Sequence, residues 1–262
     1  MIRSLLNYLF EKLLGGTYNL VSFLVIIIEK FFENFPKGYF ALRKLVLKQI
    51  YFSGFEALKL TFELGIFMGI VIVTQIASFI KGLGGINLIG KILVIALIRE
   101  VMPLFMAIIL IARSGTAITS ELGLMKVNGE ITALKALGIE PIYYVVFTRI
   151  LAFTISIFAI TMIASFVAVT TGSFALFMFE KVSFADFYEA LFLNMSIFDI
   201  VLFSLKNIAF GVAIPLVCCF YGLSIKKGVT EIPQMSTKAV LSSFFYVFLL
   251  NVMLDFLVLI WQ

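Results

Sequence analysis

Residues 97–140 read LIREVMPLFMAIILIARSGTAITSELGLMKVNGEITALKALGIE. The first part is a hydrophobic helix that carries Arg99 and Glu100 side by side, just ahead of Pro103. An isolated charge inside a bilayer costs several kcal/mol, so such residues pair, meet water or serve a function. Pro103 has no N–H to give the carbonyl of Arg99, which loosens the helix beside the pair. The second part is polar, with Glu121, Lys126, Glu130 and Lys135. It reads as a water-soluble loop that the chain enters through Ser114–Gly115–Thr116. Within it, residues 130–137 form a short helix with Ile131, Leu134 and Leu137 on one face. Asn128 or Gly129 caps it, and Gly138 followed by Pro141 ends it. A short amphipathic helix between two spans suits a partner's groove. Glu121, Glu130 and Glu140 disfavour the alternative, a helix lying on anionic headgroups.

Working outward, 62% of the 262 residues are hydrophobic and only 13% are charged. Soluble domains carry about 25% charged residues. With a mean hydropathy of +1.14, the chain is an all-α integral membrane protein. Its formal charge of +5 would suggest nucleic acid in a soluble protein; here the basic residues set topology, and no nucleic-acid partner is expected. Thirty Phe against one Trp form no clear Trp belt. Cys218 and Cys219 are adjacent on a helix and point apart, so they read as small packing residues. With no histidine, a transition-metal site has little support.

Five spans follow from the apolar runs, at about 58–80, 92–113, 142–168, 200–223 and 239–261. Residues 1–55 form N-terminal interfacial helices. Residues 1–14 put Leu5, Leu6, Leu9, Phe10 and Leu13 on one face. Gly15–Gly16 break that helix, and the uncharged core from Leu20 to Ile28 is too short to span, so it is re-entrant or surface-lying. Pro36–Lys37–Gly38 make a turn before the basic residues Arg43, Lys44 and Lys48. Gly65-x-x-x-Gly69 in the first span marks a close helix approach, either at a dimer seam or within the subunit. An acidic stretch with Glu180, Lys181, Asp186, Glu189 and Asp199 separates the third and fourth spans and is long enough for a surface helix. Lys and Arg crowd the N-terminal region, the loop after span two and the loop before span five. The positive-inside bias then makes the N-terminus cytoplasmic and the C-terminus external.

Four ionisable residues fall inside spans: Arg99, Glu100, Lys206 and Asp255. At 1.5 Å per residue, Arg99 lies ~12 Å, Lys206 ~9 Å and Asp255 ~8 Å from the outer ends of their helices. They share one layer. One reading is a buried ion-pair network or snorkelling of Arg99 and Lys206 to the interface. The other is an outward-facing cavity whose cations contact an anionic headgroup while Phe, Leu and Ile hold acyl chains. Asn251 lies four residues before Asp255 and shares its face. Gly85-Ile-Asn-Leu-Ile-Gly90-Lys91-Ile92 mimics a phosphate loop but lacks the Ser/Thr after the lysine and follows no strand. Any ATPase must be another chain. An ion-coupled transporter or channel using the intramembrane charges is the rival reading; five spans and no internal repeat disfavour it.

The sequence resembles the MlaE/YrbE family of permeases, membrane subunits of ABC transporters that work with MCE proteins in lipid transport. The resemblance is carried by Arg99-Glu100-x-x-Pro103, Ala112-Arg113-Ser114-Gly115 and Glu121-Leu-Gly123-Leu-Met125-Lys126. It continues through Glu130-x-x-Ala133-Leu134 and Gly138-Ile-Glu-Pro141 to Arg149-x-x-Ala152. Thr148 departs from the proline common in relatives. The resemblance implies a homodimer in a bacterial inner membrane, performing no covalent chemistry and binding no cofactor itself. ATP and Mg would reside in a cytoplasmic ATPase partner, with an MCE-domain ring on the periplasmic side and, in some systems, a small cytoplasmic regulatory subunit. Arg99, Glu100, Lys206 and Asp255 would line a cavity for phospholipid. Glu121, Gly123, Met125, Lys126, Glu130, Leu134 and Gly138 would belong to the cytoplasmic coupling segment, 114–140, that faces the ATPase.

Overall fold

A computed structural model describes residues 20–33, 39–80, 85–226 and 228–261. Among these there is no strand. The helices are α1 (20–33), α2 (Tyr39–Ser53), α3 (Leu58–Ile80), α4 (Gly85–Leu93), α5 (Met102–Leu110) and α6 (Thr116–Val127), then α7 (Glu130–Ala136), α8 (Thr148–Glu180), α9 (Phe184–Asn194), α10 (Ile197–Leu223) and α11 (Ile232–Trp261). Five continuous helical stretches are long and apolar enough to cross a membrane: Leu42–Phe79, Leu88–Val127, Ile142–Glu180, Ile197–Leu223 and Val229–Ile260. The protein is a multi-pass membrane protein. The expected interfacial helix over 1–14, the Gly15–Gly16 break and the 36–38 turn lie outside the described residues.

The chain passes up and down, so the helix ends fall into two groups. One gathers Lys59, Arg113, Lys126, Lys135, Lys226 and Lys238, and the other Glu180, Asp186, Glu189 and Asp199. We call these the basic and acidic ends. At the basic end, α1 packs Phe23 on Phe220 (ring centroids 5.8 Å) and Phe31 on Phe147 (4.5 Å). Its fourteen residues reach about 21 Å, short of a bilayer core. Val21, Val25, Ile28 and Phe32 on its other face stay exposed.

The core is set by small residues that let backbones touch. A Cβ on Gly69 would run into the carbonyl oxygen of Ala168, and one on Gly65 would meet that of Ala164 at 3.1 Å. Across the same seam, Gly172 abuts Val73. The Gly65-x-x-x-Gly69 pattern therefore packs α3 on α8 within the subunit. Cys218 and Cys219 are free, buried packing residues; the Cys218 sulfur would lie 3.1 Å from a Cβ on Gly115.

The structure corrects several boundaries: the fifth span begins at Ile232 rather than near 239, and the first apolar helical stretch begins at Leu42 rather than near 58. The third span does not end near 168: α8 runs to Glu180. Thr170, Thr171 and Ser173 lie inside the continued helix, where each hydroxyl bonds a carbonyl of its own helix, at 2.8–3.0 Å. A polar side chain satisfied in this way does not need water. Nor does the chain leave the bundle at Ser114–Thr116. Helix runs unbroken from Gly85 to Val127, with Ser114, Gly115, Thr119 and Leu122 buried. The polar composition of 116–127 reflects side chains paired with neighbouring helices, as described below, rather than a loop in water. The acidic stretch after α8 does form a short helix, α9, begun by Ser183, whose hydroxyl accepts from the N–H of Ala185 at 3.2 Å.

Candidate functional site

The second span is wound unevenly. Val94–Val101 and Ile111–Gly115 are π-helical, with α5 between them. π-turns widen a helix and free main-chain groups. In an α-helix the carbonyl of Arg99 would accept from residue 103, and Pro103 has no N–H. Into that position comes the side chain of Lys206 from α10, its Nζ 3.4 Å from the Arg99 oxygen. The sequence showed the gap; the structure shows what fills it.

Lys206 is fully buried, with 0% exposure. Its Nζ lies 2.5 Å from Glu100 Oε2 and 2.6 Å from Asp255 Oδ1. The ammonium donates to Glu100 and to the Arg99 carbonyl, while its contact with Asp255 Oδ1 is an ion pair without hydrogen-bond alignment. Asn251, one turn before Asp255 on α11, donates to Asp255 Oδ2 at 2.9 Å and to Glu100 Oε2 at 3.5 Å. The four predicted charges thus come together and tie the second span, α10 and α11. Snorkelling of Lys206 is excluded by its burial. The carboxylates of Glu100 and Asp255 are about one-third exposed (32% each). The open edge of the centre is therefore acidic, and its one lysine lies behind two carboxylates.

Arg99 turns elsewhere. Its Nε lies 3.3 Å from Glu100 Oε1 without hydrogen-bond alignment, and its Nη1 is 3.9 Å from Asp199 Oδ1. The sequence reading placed Asp199 in the acidic stretch between the third and fourth spans. It is instead at the first turn of α10, where its carboxylate accepts from the N–H of Ser196 at 2.9 Å while the Ser196 hydroxyl accepts in return, a capping box. The pattern Ser196-x-x-Asp199 was the signal that could have found it. The whole cluster holds Arg99 and Lys206 against Glu100, Asp255 and Asp199.

At the basic end, the predicted coupling residues divide into two groups. Glu121, Gly123, Met125 and Lys126 lie on α6, against the bundle. Glu121 pairs with Arg149 at 2.9 Å, and the Arg149 guanidinium also donates to the carbonyl of Val145 at 3.1 Å. Met125 sulfur lies 3.9 Å from the same guanidinium. Arg149 is 5% exposed, a second buried charge, which the sequence reading did not count among the site residues. Lys126 donates to the carbonyl of Leu223 and so caps the last turn of α10. A Cβ on Gly123 would collide with Ile225. Ser120 meets Ser236 of α11 at 3.1 Å, and Thr119 donates to the carbonyl of Cys218 at 3.2 Å.

Glu130, Leu134 and Gly138 form the second group. Gly129, not a side-chain cap from Asn128, begins α7 in the left-handed region at φ 77°. Gly138 ends it at φ 75°, where the N–H of Ile139 bonds the carbonyl of Leu134 at 3.0 Å. No residue of α7 is buried, and Leu137 is 75% exposed. The short helix lies at the basic end with Leu134 half-buried against the core and Leu137 exposed. Gly85–Leu93 is helical, which removes the phosphate-loop mimic.

The model of the family Permease MlaE matches residues 46–257. A probable ABC transporter permease of Synechocystis is 27% identical over 82% of this chain and 82% of its own length. Another, from Rickettsia prowazekii, is 26% identical over 90% of this chain and 88% of its own. A third, from the red alga Pyropia yezoensis, is 26% identical over 80% of each.

Proposed function

The chain belongs to the MlaE permease family, and from that premise we propose that it is the membrane subunit of an ATP-driven ABC transporter for glycerophospholipid. In this reading the lipid passes between a bacterial inner membrane and a periplasmic MCE-protein carrier, which maintains outer-membrane lipid asymmetry. Two copies form the permease. The N-terminus and the basic end are cytoplasmic, and α7 engages a partner ATPase that binds ATP and Mg. The protein itself catalyses no covalent step.

One observation carries the proposal. The buried Lys206 centre meets the helical rod Gly85–Val127 at Glu100, and the exposed α7 follows the rod's far end after a single turn at Asn128–Gly129. The rod is fastened to α10 and α11 at two levels, by Lys206, Glu100 and Asp255 at one and by Lys126, Thr119 and Ser120 at the other. Displacement of α7 by a partner then strains the Lys206 centre. Breaking the Lys206–Asp255 ion pair as α11 moves would leave the ammonium's third proton and its charge open to a headgroup phosphate. α11 suits such motion, because only 17% of its apolar stretch is buried.

Reconstitution of the whole transporter tests this. The double variant Arg99→Gln, Lys206→Met should abolish ATP-dependent transfer of labelled phospholipid while the subunits still assemble. Unchanged transfer would reject the role of the centre. Lipid movement driven by an ion gradient without ATPase would favour the ion-coupled rival.

A further inference from the structure

α2 meets its neighbours differently on its two sides. Toward the second span it is clipped by Arg113, which donates to the carbonyl of Phe52 at 3.3 Å and pairs with Glu56 at 3.2 Å. Just past its C-terminal end the chain touches α8: a Cβ on Gly54 would lie 3.0 Å from the Ser156 hydroxyl oxygen. One turn earlier that contact gives way to an apolar slot of about 440 Å³ between α2 and α8. Val46, Leu47 and Ile50 line one side of it, Leu151 and Ile155 the other. Phe31 of α1, its ring 4.5 Å from that of Phe147, forms the third wall.

Two polar residues border this slot, Thr148 and Arg43. The Thr148 hydroxyl is satisfied, donating to the carbonyl of Tyr144 at 2.8 Å. Arg43 is exposed and makes no ion pair or hydrogen bond with any described residue. It stands near the start of the helical stretch Leu42–Phe79, and Ile50 lies ~10 Å further along. The α8 wall runs in the same sense, ~12 Å from Phe147 to Ile155. Beyond Arg43 in that direction, Tyr51 and Phe55 stack with centroids 5.2 Å apart and stay exposed, as aromatic rings do at a membrane–water interface. Leu47, Leu151 and Ile155 are exposed, so the slot opens sideways onto the bilayer.

An unpaired guanidinium at the outer end of an apolar slot has the polarity of a lipid in that leaflet, headgroup outward and chain inward. We propose that the slot holds one acyl chain of an anionic phospholipid from the leaflet at the basic end, its phosphate on Arg43. A guanidinium grips a phosphate through two parallel N–H donors, and basic pockets between helices on the cytoplasmic side take such headgroups. Inside a bilayer the chain gains packing rather than escape from water. The charge therefore selects the lipid, and the slot fixes it. The lipid wedges α2 against α8 on the side that Arg113 leaves free. None of the three helices around it contributes to the Lys206 centre. The site rests on the membrane reading and not on the transport activity.

The test uses the full chain in phosphatidylcholine nanodiscs with a trace of phosphatidylglycerol that carries a photoactivatable group on one acyl chain. Labelling should fall on peptides containing residues 46–50 and 151–155. Arg43→Glu, a change at an exposed position, should lower it about tenfold, as for the loss of one charge-assisted hydrogen bond. Arg43→Lys should keep most of it. Leu151→Trp fills the slot without touching the charge and should also remove the labelling, at an unchanged melting temperature. No ATPase enters the measurement, so the site and the transport reading fail separately. Equal labelling of these peptides by a phosphatidylcholine probe with the same chain would overturn the proposal. So would labelling that responds to neither Arg43→Glu nor Leu151→Trp.

Discussion

Lys206 of α10 places its ammonium 3.4 Å from the main-chain carbonyl of Arg99, the carbonyl whose helical donor is missing because residue 103 is proline. A side chain from one helix thus completes the backbone of another, at the layer where Glu100 and Asp255 hold the same ammonium. Proline in a membrane helix is tolerated when neighbours satisfy the freed group. Here the neighbour is also the only cation of the Lys206 centre, so helix geometry and electrostatics cannot be altered independently.

Removing the cation should therefore cost more than removing the whole centre. Lys206→Met leaves Glu100 and Asp255 facing each other without it. Breaking a buried pair by losing one partner costs about 3–5 kcal/mol, and the partial exposure of the two carboxylates puts this case near or below the lower figure. Adding Glu100→Gln and Asp255→Asn should recover most of the loss. Thermal unfolding of the three purified proteins in one detergent measures it, and equal melting temperatures for single and triple variants would contradict the account.

Pro103→Ala supplies the absent N–H. The Arg99 carbonyl should then be bonded within its own helix, and the π-helical stretch before it should tighten. Hydrogen exchange should show a protected amide at residue 103 and slower exchange at 99–102. Stability should change by no more than about 1 kcal/mol, whereas lipid transfer should fall if the wide turn is needed to aim both Arg99 and Glu100.

At the seam of α3 and α8, Gly69→Val sets a branched side chain against the carbonyl of Ala168. Overpacking of this kind costs about 1–3 kcal/mol or more. Gly129 is the contrast. A Cβ there meets nothing within 4 Å, and Gly129→Ala pays only for its left-handed backbone, about 1–2 kcal/mol. Yield and melting temperature in detergent should drop sharply for the first variant and modestly for the second.

Glu121→Gln removes the carboxylate from Arg149 and slackens the contact between α6 and α8. Changes along such a connection alter coupling by about 0.5–2 kcal/mol. In the assembled transporter we expect lipid-stimulated ATP hydrolysis to fall about 2–30-fold while the ATPase still binds. Loss of ATPase binding instead would show that Glu121 holds the docking surface itself.

Much of this protein is written along the chain. Hydropathy gives the five spans because a bilayer demands long apolar helices with every backbone group bonded within them. The first span contains α3, Leu58–Ile80, within a longer stretch that begins at Leu42, and α7 has the expected glycine stop, a local signal. Arg99, Glu100, Lys206 and Asp255 stood out because charge is costly in that setting, and their common layer followed from counting residues.

What the chain could not show is which group faces which. Asp199 read as part of a surface acidic stretch because its partner, Arg99, lies a hundred positions away. Segment 116–127 read as a loop because Glu121 and Lys126 look solvated until Arg149 and the end of α10 are brought beside them. Polar residues along a helix carry no mark of whether water or another helix satisfies them. The sequence by itself determined the membrane class, the spans and the residues that must find partners. Only the tertiary structure decided the partners, because those contacts are made between helices, enclosing Lys206 behind two carboxylates and bringing Asp199 of α10 to Arg99.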